Sequence, residues 1–142
     1  MSKRVNEKFL SLYIELDRLC CERFGVPSGG VTEYINRLNN ARFAPDRDEV
    51  LPKLVNFRNI KYKFSSEPGA IRRSDEISKA DITWVKRFIK YMRKKKDPIA
   101  VYIKRARRYM RMRRFRKFIT VVGLVLLGIA VLVIALLLML KK

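Results

Sequence analysis

Apolar residues recur at three- and four-residue intervals in four stretches of the front part of the chain, which is the period of a helix with one buried face. From Val5 to Phe24, Phe9, Leu12, Leu16, Leu19 and Cys20 form one stripe, and Gly25 can close the helix in a left-handed conformation. Val26-Pro27-Ser28-Gly29-Gly30 reads as a loop, after which Thr32 can cap a shorter helix through Leu38. Phe43-Ala44-Pro45-Asp46 reads as a second loop. A third helix is predicted from near Asp48, with Pro52 in its first turn and Leu54, Phe57, Ile60 and Phe64 on its inner face, ending at Ser65-Ser66-Glu67-Pro68-Gly69. Ser78 followed three residues on by Asp81 makes a capping box for a fourth helix, with Ile82, Val85, Phe88, Ile89 and Met92 on one side. No stretch alternates with period two for long enough to predict a strand.

The pattern changes after Asp97-Pro98, a helix break with Pro suited to the next first turn. Ile99, Tyr102, Ile103, Ala106, Tyr109 and Met110 form an apolar stripe, and Lys104, Arg105, Arg107, Arg108 and Arg111 fill the other side. This predicts a basic amphipathic helix. It runs into Phe118–Leu140, a segment of 23 residues without a charge, rich in Leu, Val and Ile. As a helix that segment rises about 35 Å at 1.5 Å per residue. A bilayer's hydrocarbon core is about 30 Å thick, so one crossing is expected. A core helix of a small domain keeps a polar stripe, and this segment has none.

The expected fold class is therefore all-α. A small bundle of about four helices (1–95) precedes a basic juxtamembrane helix (96–117), which is continuous with a single C-terminal transmembrane helix (118–140) and a short tail (141–142). With only Lys141 and Lys142 after the span, the expectation is a tail-anchored, single-pass protein. Gly123 and Gly128 are five residues apart, so the small-xxx-small dimer spacing is absent from the span.

Charge sharpens this division. Of 142 residues, 33 are Lys or Arg and 13 are Asp or Glu, a formal net charge of +20. Met1–Val85 carries 15 basic and 12 acidic residues, whereas Lys86–Lys117 carries 16 basic residues and one acid, Asp97. Arg105, Arg107, Arg108, Arg111, Arg113, Arg114, Arg116 and Lys117 lie close before the span, against two lysines after it. The positive-inside rule then predicts a cytoplasmic N-terminal domain and an outside C-terminus. Cys20 and Cys21 are adjacent and poorly placed to pair with each other, which suits a reducing compartment and helix-core roles.

The chemistry is bounded by what is missing. The chain has no His, so His general bases, His-ligated metals and Ser-His-Asp or Cys-His pairs are excluded. Two Cys do not make a structural zinc site. Gly29-Gly30 lacks the following Lys-Ser/Thr of a phosphate-cradling loop. No cofactor, metal or small-molecule substrate is expected, and no catalytic residue is assigned. The collar of Lys104, Arg105, Arg107, Arg108, Arg111, Arg113, Arg114, Arg116 and Lys117 has two readings. It contacts anionic lipid headgroups, because fusion to the span holds it against them. Alternatively it holds nucleic-acid phosphates, with Tyr102, Tyr109 and Phe115 available to stack bases.

The third helix carries a resemblance. Phe57-Arg58-Asn59-Ile60-Lys61-Tyr62-Lys63-Phe64-Ser65-Ser66-Glu67-Pro68 resembles the signature region of HEPN-superfamily domains. Those are small all-α bundles, often dimeric, and many are metal-independent ribonucleases of toxin or phage-defence systems. Their signature is an Arg, commonly followed by Asn, with a His a few residues on at the end of a helix. Aligned with it, Lys61 falls at the Arg, Tyr62 at the Asn, Ser66 at the His and Glu67 at a following Glu. An alternative register uses Arg58-Asn59 and also meets no His. The resemblance covers roughly the first 95 residues and implies a homodimer through the helical domain. It also implies a damaged site: Lys61 can hold a phosphate without Arg's bidentate fork, and Ser66 cannot shuttle protons near neutral pH.

Two functions follow as expectations. The first is a tail-anchored protein presenting a catalytically inactive HEPN-like interaction module at the cytoplasmic membrane face. The second is a membrane-tethered RNA-binding or ribonuclease-type protein using the collar with Arg58, Lys61 and Lys63. A weaker third is a toxin that damages membranes through its own apolar end.

Overall fold

The computed structural model describes residues 2–141, in which helices are joined by short loops and no strand occurs. The chain divides into two compact units, Met1–Ile103 and Lys104–Lys142. The first contains α1 (Ser2–Phe24), α2 (Gly30–Asn40), α3 (Arg47–Ser66), α4 (Ala70–Arg73), α5 (Lys79–Arg93) and the opening of α6 (Pro98–Leu140). The second is the rest of α6. The all-α architecture is as the periodicity predicted. The expected head boundary at residue 95 falls inside the first unit, because Pro98 and Ile99 are buried in it.

Several local expectations are corrected. α1 begins at Ser2, three residues before Val5. Its inner face is Phe9, Tyr13, Leu16 and Cys20, while Leu12 and Leu19 are only partly buried beside it. Gly25 does close α1 with φ +67°. Gly30 is not in the loop but is the first residue of α2, and Thr32 does not cap it. Gly29 occupies the cap position at φ 66° without a side-chain bond, and Asp17 of α1 supplies the acceptor, its Oδ1 taking the Val31 N–H at 2.9 Å. A neighbouring helix thus satisfies an amide that local sequence leaves open. α3 starts at Arg47, so Pro52 lies one turn in, where it forfeits the bond to the Asp48 carbonyl. The four-residue α4 was not expected. The Ser78 capping box is present: Asp81 N–H donates to Ser78 Oγ at 3.1 Å, and Ser78 N–H to Asp81 Oδ2 at 2.9 Å.

Aromatic rings connect the four longer helices of the first unit. Phe9 of α1 meets Phe57 of α3 edge-on at 5.4 Å, and Phe57 meets Trp84 of α5 at 5.6 Å. Trp84 stacks on Phe88 at 5.0 Å, and Phe88 meets Tyr34 of α2 edge-on at 5.5 Å. Edge-to-face and offset geometries suit ring quadrupoles and add about 0.5–1.5 kcal/mol per pair beyond area burial. α1 and α2 cross where Gly30 has no side chain. A Cβ there would lie 2.8 Å from the Cys20 Cβ, 2.5 Å from the Cys21 nitrogen and closer still to the Asp17 carbonyl oxygen. Burial pushes the Cys20 thiol up to about 12, with Asp17 adding to the effect, so Cys20 behaves as an inert core residue.

Candidate functional site

Three places carry the candidate chemistry. The first is the end of α3. The inner residues Phe57, Ile60 and Phe64 are buried, so the intervening polar residues are turned outward. Arg58 is half-buried and its Nε is enclosed without a hydrogen-bond partner. Asn59 is exposed. The Lys61 ammonium sits 5.0 Å from the centre of the exposed Tyr62 ring and joins no ion pair among the described residues. Ser66 Oγ reaches back to the Lys63 carbonyl at 3.5 Å, and Glu67 is the exposed residue following the helix.

Arg58, Tyr62 and Ser66 recur at four-residue spacing and so share one face of α3. Lys61 and Ser66 are five residues apart and lie on different sides of α3. Glu67 instead joins Lys63, Ala70, Arg73, Asp75 and Glu76 around an open cleft of about 560 Å³, which Lys61 and Ser66 do not line. Lys63 and Glu76 form an ion pair there, and their hydrogen bond raises the Lys63 pKa and lowers that of Glu76. Arg58 stands on the other side, close enough to Tyr13 for its charge to act on that phenol. Among the described residues, no group of three or more Asp, Glu or Cys converges in a way that could hold a metal ion.

The second place is a buried polar junction that sequence reasoning missed. Asp97 is fully buried. Its Oδ1 accepts from Arg23 Nη1 at 2.7 Å, and its Oδ2 from the Tyr34 hydroxyl at 2.8 Å and the Ala100 N–H at 3.3 Å. One carboxylate therefore caps α6 and ties its root to α1 and α2. Burial and the Asp97 charge both push the Tyr34 hydroxyl pKa upward, so Tyr34 remains a donor. The signal available was Asp97 as the one acid in the Lys86–Lys117 segment, immediately before a proline.

The third place is the second unit. Lys104, Arg107, Arg108 and Arg111 share one face of α6 by their i, i+3, i+4, i+7 spacing, with Arg105 beside them. Arg113, Arg114, Arg116 and Lys117 fall on the remaining sides, so cations surround the helix just before the apolar run. All nine are exposed, as are Tyr109 and Phe115. The apolar residues 118–140 are exposed along their whole length. α6 contains one stretch long and apolar enough to cross a membrane. Thr120 is the lone hydroxyl in it, and donates to the Arg116 carbonyl at 2.9 Å.

No curated protein and no solved structure matches the chain. A family match runs over residues 7–122, from α1 through the basic segment to the first apolar residues that follow. The chain therefore belongs to DUF6548, a family of unknown function.

Proposed function

We propose that this protein is anchored in a membrane by the apolar run of α6 and presents a non-catalytic, HEPN-like helical module on the cytoplasmic side. The observation that carries the reading is the 23-residue apolar run 118–140, exposed throughout and directly preceded by nine cations. Apolar surface in water costs about 25 cal/mol per Å², and a bilayer removes it while α6 satisfies its own backbone amides. The arginine-rich segment then lies at headgroup level, where each cation contributes up to about 1 kcal/mol with anionic lipid. The nine cations directly before the run favour a cytoplasmic head on the positive-inside rule. Ser66 lacks a group that titrates near neutral pH, and Lys61 and Ser66 sit on different sides of α3. Both facts favour binding over catalysis, with the head available for homodimerisation or a protein partner. Extraction and protease protection of the full chain test the reading. The protein should stay with membranes at alkaline pH, and its head should be digested only from the cytoplasmic side. Release into the aqueous phase, or digestion of the head from outside intact cells, overturns it.

A second reading is a membrane-tethered ribonuclease. It is favoured by the absence of an acid partner for the Lys61 ammonium among the described residues. Cleavage of RNA in the presence of chelator, abolished by Lys61→Ala, would replace the first reading with this one.

A further inference from the structure

The outward face of α5 holds a second basic surface, separate from the Lys104–Lys117 segment. Because Ile82, Trp84, Val85, Phe88, Ile89 and Met92 are buried, every exposed residue from 86 to 96 except Tyr91 is a cation. Arg93 is paired with Glu15. Lys86, Arg87, Lys90, Lys94, Lys95 and Lys96 join no ion pair among the described residues. Six unneutralised cations on one helix face and the turn after it repel one another, so an arrangement of this kind gains stability from a bound polyanion.

Beside this face lies a concavity of about 230 Å³ between the start of α3, α5 and the root of α6. Trp84 and Phe88 at its base are buried and stacked on each other, and Tyr91, which is 42% exposed, is the ring it presents to solvent. Arg87 and Lys96 stand on its rim on the α5 side. Asp46 and Glu49 stand at the α3 side. Lys53 lies over the Trp84 ring at 5.2 Å. A flat bilayer surface meets the cations but cannot enter this groove. An unpaired nucleobase can: its π-face stacks on the exposed Tyr91 ring, its phosphates lie along the cations, and its exocyclic amino group faces the two carboxylates.

We infer that the α5 face and the Asp46–Glu49–Trp84–Tyr91 groove bind single-stranded RNA, with bases carrying an amino group preferred in the groove. This gives the head a ligand class and rests on reading it as a binding module. Its failure is distinguishable from failure of the membrane reading, since extraction and protease protection do not depend on RNA.

The test uses the full chain in nanodiscs of neutral phosphatidylcholine and a labelled oligocytidylate of about 12 nucleotides. Affinity should fall with salt at about −0.7 in log–log slope per phosphate contacted. Lys86→Gln/Arg87→Gln/Lys90→Gln should reduce that slope by about 2, since three contacts are removed. Tyr91→Ala should weaken binding at least about fivefold, in line with the loss of one stacked base. Oligocytidylate should bind more tightly than oligouridylate, and Glu49→Gln should narrow the difference. Substituting Arg113, Arg114, Arg116 and Lys117 by Gln should leave RNA affinity within about twofold. Should the triple variant lose helicity, Lys94→Gln/Lys96→Gln in the turn beyond α5 makes the same test. Unchanged binding by the α5 variants overturns the inference. So does loss of binding only with the Arg113–Lys117 substitutions, or an α5 effect confined to phosphatidylserine vesicles.

Discussion

The Arg23 guanidinium lies 2.7 Å from a carboxylate oxygen of Asp97 across 74 residues of sequence, joining the last turn of α1 to the first residue before α6. Asp97 has no solvent exposure, and the side chain of Arg23 is 23% exposed. Tyr34 and the Ala100 amide take the other oxygen. A buried carboxylate with three donors is tolerated because each donor replaces water that burial removed. Removing it strands a guanidinium and a phenol together. Asp97→Ala should therefore destabilise the first unit by about 3 kcal/mol or more. The check is chemical denaturation followed by circular dichroism, with hydrogen exchange at the Ala100 and Val101 amides as a local readout. Wild-type protection at those amides would show that the carboxylate does not hold the root of α6.

Gly30 and Gly25 separate two reasons for glycine. At Gly30 the obstacle is a neighbouring backbone, because a new Cβ meets the Cys21 nitrogen at 2.5 Å and the Asp17 carbonyl closer still. Overpacking of this kind costs about 1–3 kcal/mol, and α2 must also shift away from its Asp17 acceptor. At Gly25 no atom lies within 4 Å, and the whole cost is φ +67°. That costs about 1 kcal/mol. Thermal melts should rank Gly30→Ala below Gly25→Ala, and equal losses would mean that the helix crossing yields readily.

Alkaline stability follows from the core thiol and phenols. Burial raises the Cys20 pKa to about 12, and raises those of Tyr13 and Tyr34 above the usual phenol value. In each case the fold favours the protonated form. The unfolded chain therefore loses protons first as pH climbs past the ordinary thiol value of about 8.5. Stability from these groups is present in full below that pH and is lost as pH rises toward about 12. Denaturant midpoints should fall steadily over this alkaline range. Iodoacetamide at mildly alkaline pH should label Cys20 only after unfolding.

The apolar run makes a prediction of its own on the membrane reading. Val125→Arg or Leu127→Arg places a charge near its centre, at a cost of about 2.5–3.5 kcal/mol on insertion scales. The membrane-bound fraction should drop and aggregated or soluble protein should appear. The same substitution at Lys104, already charged and exposed, should change nothing. Membrane recovery of both central variants equal to wild type would count against a span.

The arginine-rich segment predicts a lipid dependence. Arg113, Arg114, Arg116 and Lys117 changed together to Gln should lower affinity for phosphatidylserine-containing vesicles. The upper limit is about 1 kcal/mol per charge, diminished by crowding and by salt. Flotation of the full chain at two salt concentrations measures this. An identical response on neutral vesicles would remove anionic lipid as the ligand of that segment.

Helix periodicity, the glycine at the end of α1, the Ser78 capping box, the break at Asp97-Pro98 and the length of the apolar run were legible because each is local. Their physics needs only residues within a few positions of one another, such as side chains one turn apart or a cap three residues from its amide. The candidate residues at the end of α3 were legible as residue types, yet Lys61 and Ser66, five residues apart, lie on different sides of the helix. Tertiary structure alone decided that Asp17 caps α2, that Gly30 is a crossing point and that Asp97 is buried among Arg23, Tyr34 and the start of α6. It also decided that the α5 cations border an aromatic groove. Each of these joins residues from separate helices, and no period or spacing along one strand of sequence encodes which helices meet. Composition and local pattern determined the helices, the charge asymmetry and the greasy run. Packing determined which polar groups lost water and so had to find partners across the fold.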